Sequence, residues 1–210
     1  MESLIVTRIE NNVFNSNTFI LTIENCKNAW LVDCGDFVKV RDWLLKNDKE
    51  LSGIFVTHSH FDHIYGINEV ISVFPMLQLY ACKEAFHGMR DCKLNGSLYT
   101  ENSFVIGKAN DVVIANNDCI GVEHFELKTF STPGHSLDSY CYQIGNYLFT
   151  GDALIPNVKV VTKIKGGDKK LAQESVDFIC HNFTEETIIA PGHNKEMALL
   201  EIKKSNFIYV

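Results

Sequence analysis

His-Ser-His-Phe-Asp-His, at residues 58–63, concentrates four side chains that bind metal ions into six positions. The first two histidines lie two residues apart, so in an extended segment both can face one ion. The aspartate and the last histidine follow at a turn and can face a second ion. Residues 54–56, Ile-Phe-Val, form an apolar run of the kind found in buried strands. The stretch therefore predicts a metal-binding loop at the end of a buried strand.

The same arrangement recurs three times further along the chain. In each case an apolar run typical of a strand leads directly into a short segment that contains a histidine or an aspartate. These segments are Thr132-Pro133-Gly134-His135, Thr150-Gly151-Asp152 and Pro191-Gly192-His193. Because α/β folds place their chemistry in loops at strand ends, we expect the four segments to converge on one site.

Seven candidate ligands are too many for one tetrahedral site, and they suit two ions that share a carboxylate. The candidates are His58, His60, Asp62, His63, His135, Asp152 and His193. In this arrangement His135 completes one ion's site, His193 completes the other, and Asp152 bridges the two. Such a pair makes a nucleophilic hydroxide at neutral pH. We expect two divalent ions, with zinc favoured and iron or manganese as alternatives.

The size and charge of the chain point to one acidic domain. Its 210 residues suit a single domain spanning residues 1–210. The 19 lysines and arginines against 26 aspartates and glutamates give a net charge of −7, which is unfavourable for binding a phosphate backbone. We therefore expect a small-molecule substrate and no nucleic acid, and the sequence leaves an oligomer open.

The cysteines and the N-terminus favour a reducing compartment. There are seven cysteines, an odd number, and they include no pair spaced Cys-x-x-Cys. The segment MESLIVTRIE lacks the basic and apolar regions of a signal peptide. A run of about 18 apolar residues, as a membrane span needs, is also missing. We expect free thiols, a cytoplasmic protein and no membrane association.

Strands and helices interleave along the chain, and the strands come in pairs. This pattern predicts two mixed sheets with helices outside them. Asp36 and Asp168 are predicted to cap helices. Residues 112–114 and the Asn-Asn-Asp turn at 116–118 suggest a hairpin, and a last helix is expected from about Lys195.

The four segments together resemble the metallo-β-lactamase-fold hydrolase superfamily over nearly the whole chain. The resemblance implies an α+β fold, namely an αβ/βα sandwich of two mixed β-sheets flanked by helices. It also implies that His58, His60 and His135 bind one ion, and that Asp152 bridges. The second ion's ligands, by the same resemblance, are Asp62, His63 and His193.

Within the superfamily, the chain is most similar to the glyoxalase II-like branch of thioesterases. The similarity lies in the strings TPGHS at 132–136 and FTGDAL at 149–154, and in Gly166-Gly167-Asp168 before a helix. True β-lactamases of this fold lack an aspartate in the role of Asp152, so the resemblance favours a different substrate. Seventeen residues follow His193, which is too few for the helical region that grips glutathione in the best-known relatives. The expected reaction is hydrolysis of a small thioester, ester or lactone by a metal-bridging hydroxide.

Several residues receive roles in this hypothesis besides binding metal. Asp62 would orient the nucleophile or pass a proton to the leaving group, and Asp152 would bridge the ions. Tyr65 is a candidate to hydrogen-bond the developing oxyanion. Asp33 and Thr57 are candidates to hold imidazole N–H groups. Lys163 and Lys165 are candidates to contact an anionic substrate.

Two other enzyme classes of the same fold remain open at this point. A mononuclear-iron persulfide dioxygenase shares the His58–His63 pattern, the TPGH histidine and the Gly-Asp aspartate. A nuclease or phosphodiesterase shares the histidine motif, but it is usually longer and carries an RNA-binding arm. A non-catalytic relative that only binds a ligand would be expected to have lost metal ligands, and this chain keeps all seven.

Overall fold

The computed structural model describes residues 3–205, 207 and 209–210. The chain divides into two compact units, Met1–Ile114 and Ala115–Val210. Each unit carries one six-stranded sheet that mixes parallel and antiparallel strands, together with helices. Two mixed sheets with helices are what the sequence predicts. The extent of a single domain over residues 1–210 stays a prediction.

The first unit is built on one sheet and four α-helices. Its strands are β1 (Leu4–Glu10), β2 (Asn17–Ile23), β3 (Asn28–Val32), β4 (Glu50–Phe55), β5 (Gln78–Cys82) and β6 (Asn110–Ile114). Its helices are α1 (Phe37–Lys46), α2 (Phe61–Ile64), α3 (Ile67–Val73) and α4 (Lys83–Met89). The strands lie in sequence order. The first three are antiparallel, and β3 to β6 run parallel.

The parallel pair β3 and β4 brings two polar segments to one edge of this sheet. Neighbouring parallel strands end at the same edge, and β3 ends at Val32 while β4 ends at Phe55. Asp33 follows β3, and its N–H donates to the carbonyl of Phe55 at 2.9 Å. The segment Thr57–His63 follows β4. Strands β2 and β3 are almost wholly buried, so this edge is fixed by the core of the unit.

The second unit also contains one sheet, with two helices. Its strands are β7 (Cys119–Val122), β8 (Phe125–Ser131), β9 (Tyr140–Ile144), β10 (Tyr147–Gly151), β11 (Ile188–Pro191) and β12 (Met197–Ala198). Its helices are α5 (Lys169–Asn182) and α6 (Leu199–Lys204). The strand order is β12-β11-β10-β9-β8-β7, and β10 with β11 is the parallel pair. The apolar side of α5 (Ala172, Val176 and Ile179) belongs to the same buried cluster as Leu148 and Ile189.

The strand directions explain why three candidate ligands of this unit share an edge. Strands β8 and β10 are both antiparallel to β9, so they run in the same direction. Strand β11 runs parallel to β10. His135, Asp152 and His193 follow the ends of β8, β10 and β11 within a few residues.

The hairpin predicted around residues 112–118 is wrong. Residues 112–114 belong to β6, which pairs in parallel with β5, whereas β7 pairs with β8 in the sheet of the second unit. A short apolar run fits a parallel neighbour as well as a hairpin, so the pattern does not choose between them. Asn117 does form the turn, with a left-handed φ of 65° that asparagine tolerates.

Only one of the two predicted helix caps is confirmed. Asp168 accepts hydrogen bonds from the N–H groups of Lys170 and Leu171 at 2.8 and 3.0 Å. The capping role of Asp36 is wrong, because its carboxylate instead accepts from the N–H of Asn12 at 2.8 Å. Both helices have an aspartate at the N-cap position. The N–H of Asn12 competes for the carboxylate of Asp36, and this decides whether the aspartate caps its helix.

The last helix begins later than predicted. Met197 lies in β12, opposite Ile189 of β11, and α6 begins at Leu199. The edge of a sheet offers unpaired N–H and C=O groups, and pairing with them outweighs the helical spacing of Met197, Leu199 and Leu200.

The helices and the cysteines bear on the expected absence of a membrane span and of disulfides. Among the described residues, every helix is too short or too polar to span a bilayer. All seven cysteines lie in the described part of the chain, and each is a free thiol as predicted. Burial raises the pKa of Cys141 to about 12, and hydrogen bonding from Thr132 only partly offsets this increase.

Replacing Asp168 with alanine is expected to lower the free energy of unfolding by about 1 kcal/mol, because two N–H groups of α5 lose their acceptor. The measurement is the midpoint of urea denaturation followed by circular dichroism. The matched control is Lys169→Ala, which removes the exposed neighbouring side chain but no capping contact. Equal midpoints for the two variants would contradict the capping role.

Candidate metal centre

The four candidate ligands of the first unit lie close together after β4. His58, Asp62 and His63 are buried, and His60 is half-buried. The ring centroid of His58 lies 4.6 Å from that of His60 and 4.4 Å from that of His63. Ligand atoms of the pairs His58–His60, His58–His63 and Asp62–His63 lie within 4.8 Å of one another. The hexapeptide therefore presents its donors as one cluster, as its spacing predicts.

The carboxylate of Asp33 fixes the tautomers of two of these histidines. Its Oδ2 accepts the N–H of His63 Nδ1 at 3.0 Å and the O–H of Thr57 at 2.8 Å. Because the Thr57 hydroxyl donates its only proton there, it accepts from Nδ1 of His58, 3.0 Å away. Both rings thus carry hydrogen on Nδ1 and a lone pair on Nε2, which is the form that binds a metal ion. The prediction that Asp33 and Thr57 hold imidazole N–H groups is confirmed.

Local backbone geometry places Asp33 for this task. The residue is buried and follows β3 in a left-handed conformation with φ of 58°. Aspartate adopts this region more readily than most residues. Its second oxygen, Oδ1, accepts the N–H of Thr57 at 2.8 Å. The carboxylate is therefore held by three donors, which a buried charge requires.

In the second unit, Asp152 lies at equal distance from two candidate histidines. Its Oδ2 is 3.5 Å from Nε2 of His135 and 3.5 Å from Nε2 of His193. The tautomer of His135 follows from its other nitrogen, since Nδ1 donates to the carbonyl of Val161 at 2.9 Å. The lone pair of His135 is consequently on Nε2, on the side of Asp152.

Close packing and hydrogen bonds hold the segment 132–135 against helix α5. Gly134 has φ of 138°, and a Cβ there would lie 2.2 Å from the backbone nitrogen of Ala172, so only glycine fits. Its carbonyl accepts the N–H of Asp168 at 2.8 Å. The carbonyl of Pro133 accepts the hydroxyl of Ser175 at 2.7 Å. These contacts fix the backbone from which His135 projects.

Tyr65 donates its hydroxyl to Asp36 in this structure. The distance from its oxygen to Oδ1 of Asp36 is 2.5 Å. Partial burial and the neighbouring Asp36 raise the pKa of Tyr65 above its usual value. For Asp36, partial burial favours a higher pKa, but hydrogen bonds from Lys39 and Tyr65 outweigh it and lower the pKa. An oxyanion contact by Tyr65 stays a prediction, and it requires the hydroxyl to leave Asp36.

Lys163 and Lys165 are exposed side chains of the irregular segment between β10 and α5. In the same segment, the carbonyl of Val161 accepts a hydrogen bond from the candidate ligand His135. A substrate contact by the two lysines stays a prediction.

Three hydrogen bonds near the candidate ligands were not anticipated from the sequence. The hydroxyl of Ser16 donates to the carbonyl of Asp62 at 2.7 Å, and the buried side chain of Asn11 donates to Ser16 at 3.1 Å. The cluster of asparagine and serine between β1 and β2 is the signal that could have indicated them, although it suggests only a turn. The contact of the Val161 carbonyl could not be anticipated, because every residue type has the same backbone acceptor.

The donor set fits divalent transition-metal ions. Imidazole nitrogens and carboxylate oxygens suit zinc, iron and manganese. The hydrogen bonds of Asp33, Thr57 and Val161 leave lone pairs on the Nε2 atoms of three rings. A neutral imidazole whose other nitrogen donates a hydrogen bond is the usual state of a metal-binding histidine.

Comparison with known families covers most of the chain. A model of the metallo-beta-lactamase superfamily matches residues 11–193. The chain belongs to this superfamily. The match includes all seven candidate ligands.

Two relatives and one solved structure place the chain within the superfamily. The hydroxyacylglutathione hydrolase of Pseudoalteromonas translucida is 29% identical over 166 residues, which are 79% of this chain and 53% of that protein. This chain therefore spans about half the length of that relative. The probable metallo-hydrolase YqgX of Bacillus subtilis is 26% identical over 174 residues, 82% of each protein.

The structure of the BLEG-1 B3 metallo-beta-lactamase resembles this chain with a TM-score of 0.89 at 28% identity. The similarity covers 95% of this chain and 97% of that one. It confirms the predicted fold class.

Replacing Asp33 with asparagine is expected to weaken metal binding by about 10- to 100-fold, because one acceptor position becomes a donor and the histidine tautomers are no longer fixed. Asparagine tolerates the same left-handed backbone, so the fold is retained. Competition with a chromophoric chelator measures the affinity. The matched control is Asp42→Asn on the exposed side of α1. Unchanged affinity in Asp33→Asn would contradict the role of Asp33.

Proposed function

We propose that this chain is a dinuclear metal-dependent hydrolase that cleaves a small thioester, ester or lactone. Membership of the metallo-beta-lactamase superfamily supports a metal-dependent hydrolase. The relatives named hydroxyacylglutathione hydrolase support a thioesterase. The native substrate of a relative that is about twice as long does not transfer directly, so the proposal keeps to the class of bond that is cleaved.

The position of Asp152 is the observation that carries the dinuclear proposal. The resemblance seen in the sequence implies that His135 holds one ion and His193 the other. One carboxylate oxygen of Asp152 lies 3.5 Å from Nε2 of each of these histidines. A carboxylate at equal distance from donors of two sites is suited to bridge them. By the same resemblance, His58 and His60 would hold the first ion together with His135, and Asp62 and His63 would hold the second together with His193.

Two divalent ions, when bound, supply Lewis acidity and lower the pKa of water towards neutrality. The chain's own residues set the geometry. Asp33 holds His63 directly and His58 through Thr57, so both rings keep their orientation during turnover. The carbonyl of Val161 does the same for His135.

Asp62 is proposed to move the proton of the reaction. Its Oδ2 lies 3.4 Å from Nε2 of His63, and its backbone carbonyl is held by Ser16. Attack of water on the substrate carbonyl carbon releases one proton, which the Asp62 carboxylate accepts. When the bond from the acyl carbon to sulfur or oxygen breaks, the same carboxyl group returns the proton to the leaving group.

A second candidate function is hydrolysis of β-lactams. The observation that favours it is the close match to a structure described as a B3 metallo-beta-lactamase. The aspartate at position 152 argues for thioesters and esters instead, because the resemblance places no such residue in true β-lactamases.

The remaining parts of the proposal concern metals, partners and compartment. We propose zinc as the native metal, with iron or manganese as the alternatives that the donor set also suits. The substrate is a small molecule rather than a nucleic acid, in line with the net charge of −7. The seven free thiols favour a cytoplasmic location.

Metal analysis of the native protein, combined with a substrate panel, tests the proposed function. The panel contains S-lactoylglutathione, an acyl-CoA, a lactone, a β-lactam and a phosphodiester. We expect about two divalent ions per chain, as a shared carboxylate implies. We also expect kcat/KM for a thioester, ester or lactone to exceed the values for the β-lactam and the phosphodiester.

Three outcomes would contradict the proposal. One iron per chain with oxygen uptake on a persulfide would indicate a dioxygenase. Preference for the phosphodiester would indicate a nuclease-type enzyme, and preference for the β-lactam would favour the second candidate.

Asp152→Ala tests the bridging role. Because both sites lose a ligand, metal content and hydrolytic activity are expected to fall together. The metal is measured by elemental analysis and the activity with the best substrate of the panel. Asp177→Ala, which removes an exposed carboxylate of α5, serves as control. Full metal content and full activity in Asp152→Ala would refute the bridge.

A further inference from the structure

An aromatic side chain is exposed to water directly beside the metal-binding hexapeptide. Phe14 lies in the turn between β1 and β2, and 70% of its surface is exposed. Its ring meets the ring of Phe61 edge to face, with centroids 5.5 Å apart. Phe61 is the residue between the candidate ligands His60 and Asp62. Phe14 therefore contacts the residue that separates two candidate ligands in the sequence.

The backbone of Phe14 adopts a conformation that phenylalanine disfavours. Phe14 and Asn15 both have φ of 53°. For a residue with a Cβ, the left-handed region brings the Cβ too close to the following carbonyl oxygen and is disfavoured. Asparagine adopts it readily, whereas phenylalanine does not. Backbone strain of this kind clusters at binding and catalytic sites.

Hydrogen bonds on both sides hold this turn in place. The N–H of Asn12 donates to Asp36 at 2.8 Å, and Lys39 donates to the side chain of Asn12 at 2.9 Å. After the turn, Ser16 donates to the carbonyl of Asp62 at 2.7 Å. The aromatic ring is thus presented on an ordered backbone, which reduces the entropy cost of a contact with a ligand.

We propose that Phe14 is a specificity-determining residue that packs against the apolar acyl chain of the substrate. This inference rests on the proposed function. In this proposal the cleaved carbonyl lies at the candidate metal ligands and the acyl chain lies against the ring pair of Phe14 and Phe61, which the turn at Ser16 holds next to the hexapeptide. In thioesters whose leaving group is a polar carrier thiol, the acyl chain is the apolar part. The preferred substrates therefore carry acyl chains of several methylene groups.

Exposed apolar residues are common, and the chain offers a matched control. Met76 is 81% exposed and precedes β5, at the opposite end of the first sheet from the hexapeptide. The end is opposite because β4 and β5 run parallel and the hexapeptide follows β4. Phe14→Ala and Met76→Ala remove similar amounts of exposed apolar surface. Only the first removes it beside the ligands.

The test is binding of straight-chain hydroxamates with two to six carbons to the full-length, metal-loaded protein, measured by calorimetry. Full burial of a methylene group improves affinity about fourfold. For a chain lying on an open ring pair we expect about twofold per methylene, or roughly 16-fold from two to six carbons. In Phe14→Ala this gain is expected to fall below about threefold, while Met76→Ala keeps it. Phe14→Leu, which restores an apolar side chain, is expected to recover most of the gain.

The outcomes separate this inference from the proposed function. If the two-carbon hydroxamate binds and the chain-length gain is the same in Phe14→Ala as in the native protein, the inference is wrong and the metal centre stands. If the native protein gains nothing with chain length, the inference is also wrong. If the two-carbon compound does not bind at all, the proposed metal centre fails and the inference falls with it. A weaker two-carbon affinity in Phe14→Ala with an unchanged gain would indicate a structural effect and would also overturn the inference.

Discussion

The carboxylate of Asp33 is the contact on which the geometry of the first unit's ligands depends. It accepts two hydrogen bonds from Thr57 and one from His63, and through the Thr57 hydroxyl it also determines the proton position on His58. A neutral imidazole can carry its proton on either nitrogen, and only one choice leaves Nε2 free to bind a metal ion. A single buried carboxylate thus fixes the tautomers of two histidines, so that each presents the lone pair of its Nε2 atom. Its buried charge is tolerated because three hydrogen bonds compensate it.

In the second unit, a different kind of acceptor fixes the tautomer of a candidate histidine. His135 is fixed by a backbone carbonyl, that of Val161, which accepts but cannot donate. A carbonyl demands no particular side chain, so residue 161 can vary without losing the contact. The contact therefore depends on the course of the backbone. Gly134 and the N-cap of α5 hold the segment from which His135 projects. A carboxylate supports the ligands in one unit, and packing of a loop on a helix supports them in the other.

The sequence predicts those parts of the structure that depend on residue type and spacing. The apolar runs give β4, β8, β10 and β11, and the polar segments after them give the candidate ligands. Asp33 and Thr57 could be anticipated because both directly follow a strand that ends at the site. Strand partners could not be anticipated, since β6 pairs in parallel with β5, whose paired residues lie 32 positions earlier in the chain (Gln78 opposite Asn110). The difference between Asp36 and Asp168 also depends on long-range contacts. Asn12 and Tyr65 draw the carboxylate of Asp36 away from its helix, whereas the hydrogen bonds that Asp168 accepts among the described residues come from its own helix.

Left-handed residues in the first unit show how strain and function are related here. Asp33 and Asn15 occupy this region at little cost, because their short polar side chains tolerate it. Turn chemistry therefore explains both of them. Phe14 has the same φ and lacks that tolerance, and glycine or asparagine at its position would make a more stable turn. Its ring is mostly in water, so burial in the core does not repay the strain. What the aromatic side chain adds at this position is the edge-to-face contact with Phe61 and an exposed apolar surface beside the hexapeptide, and that surface is the one that the inferred acyl chain would cover.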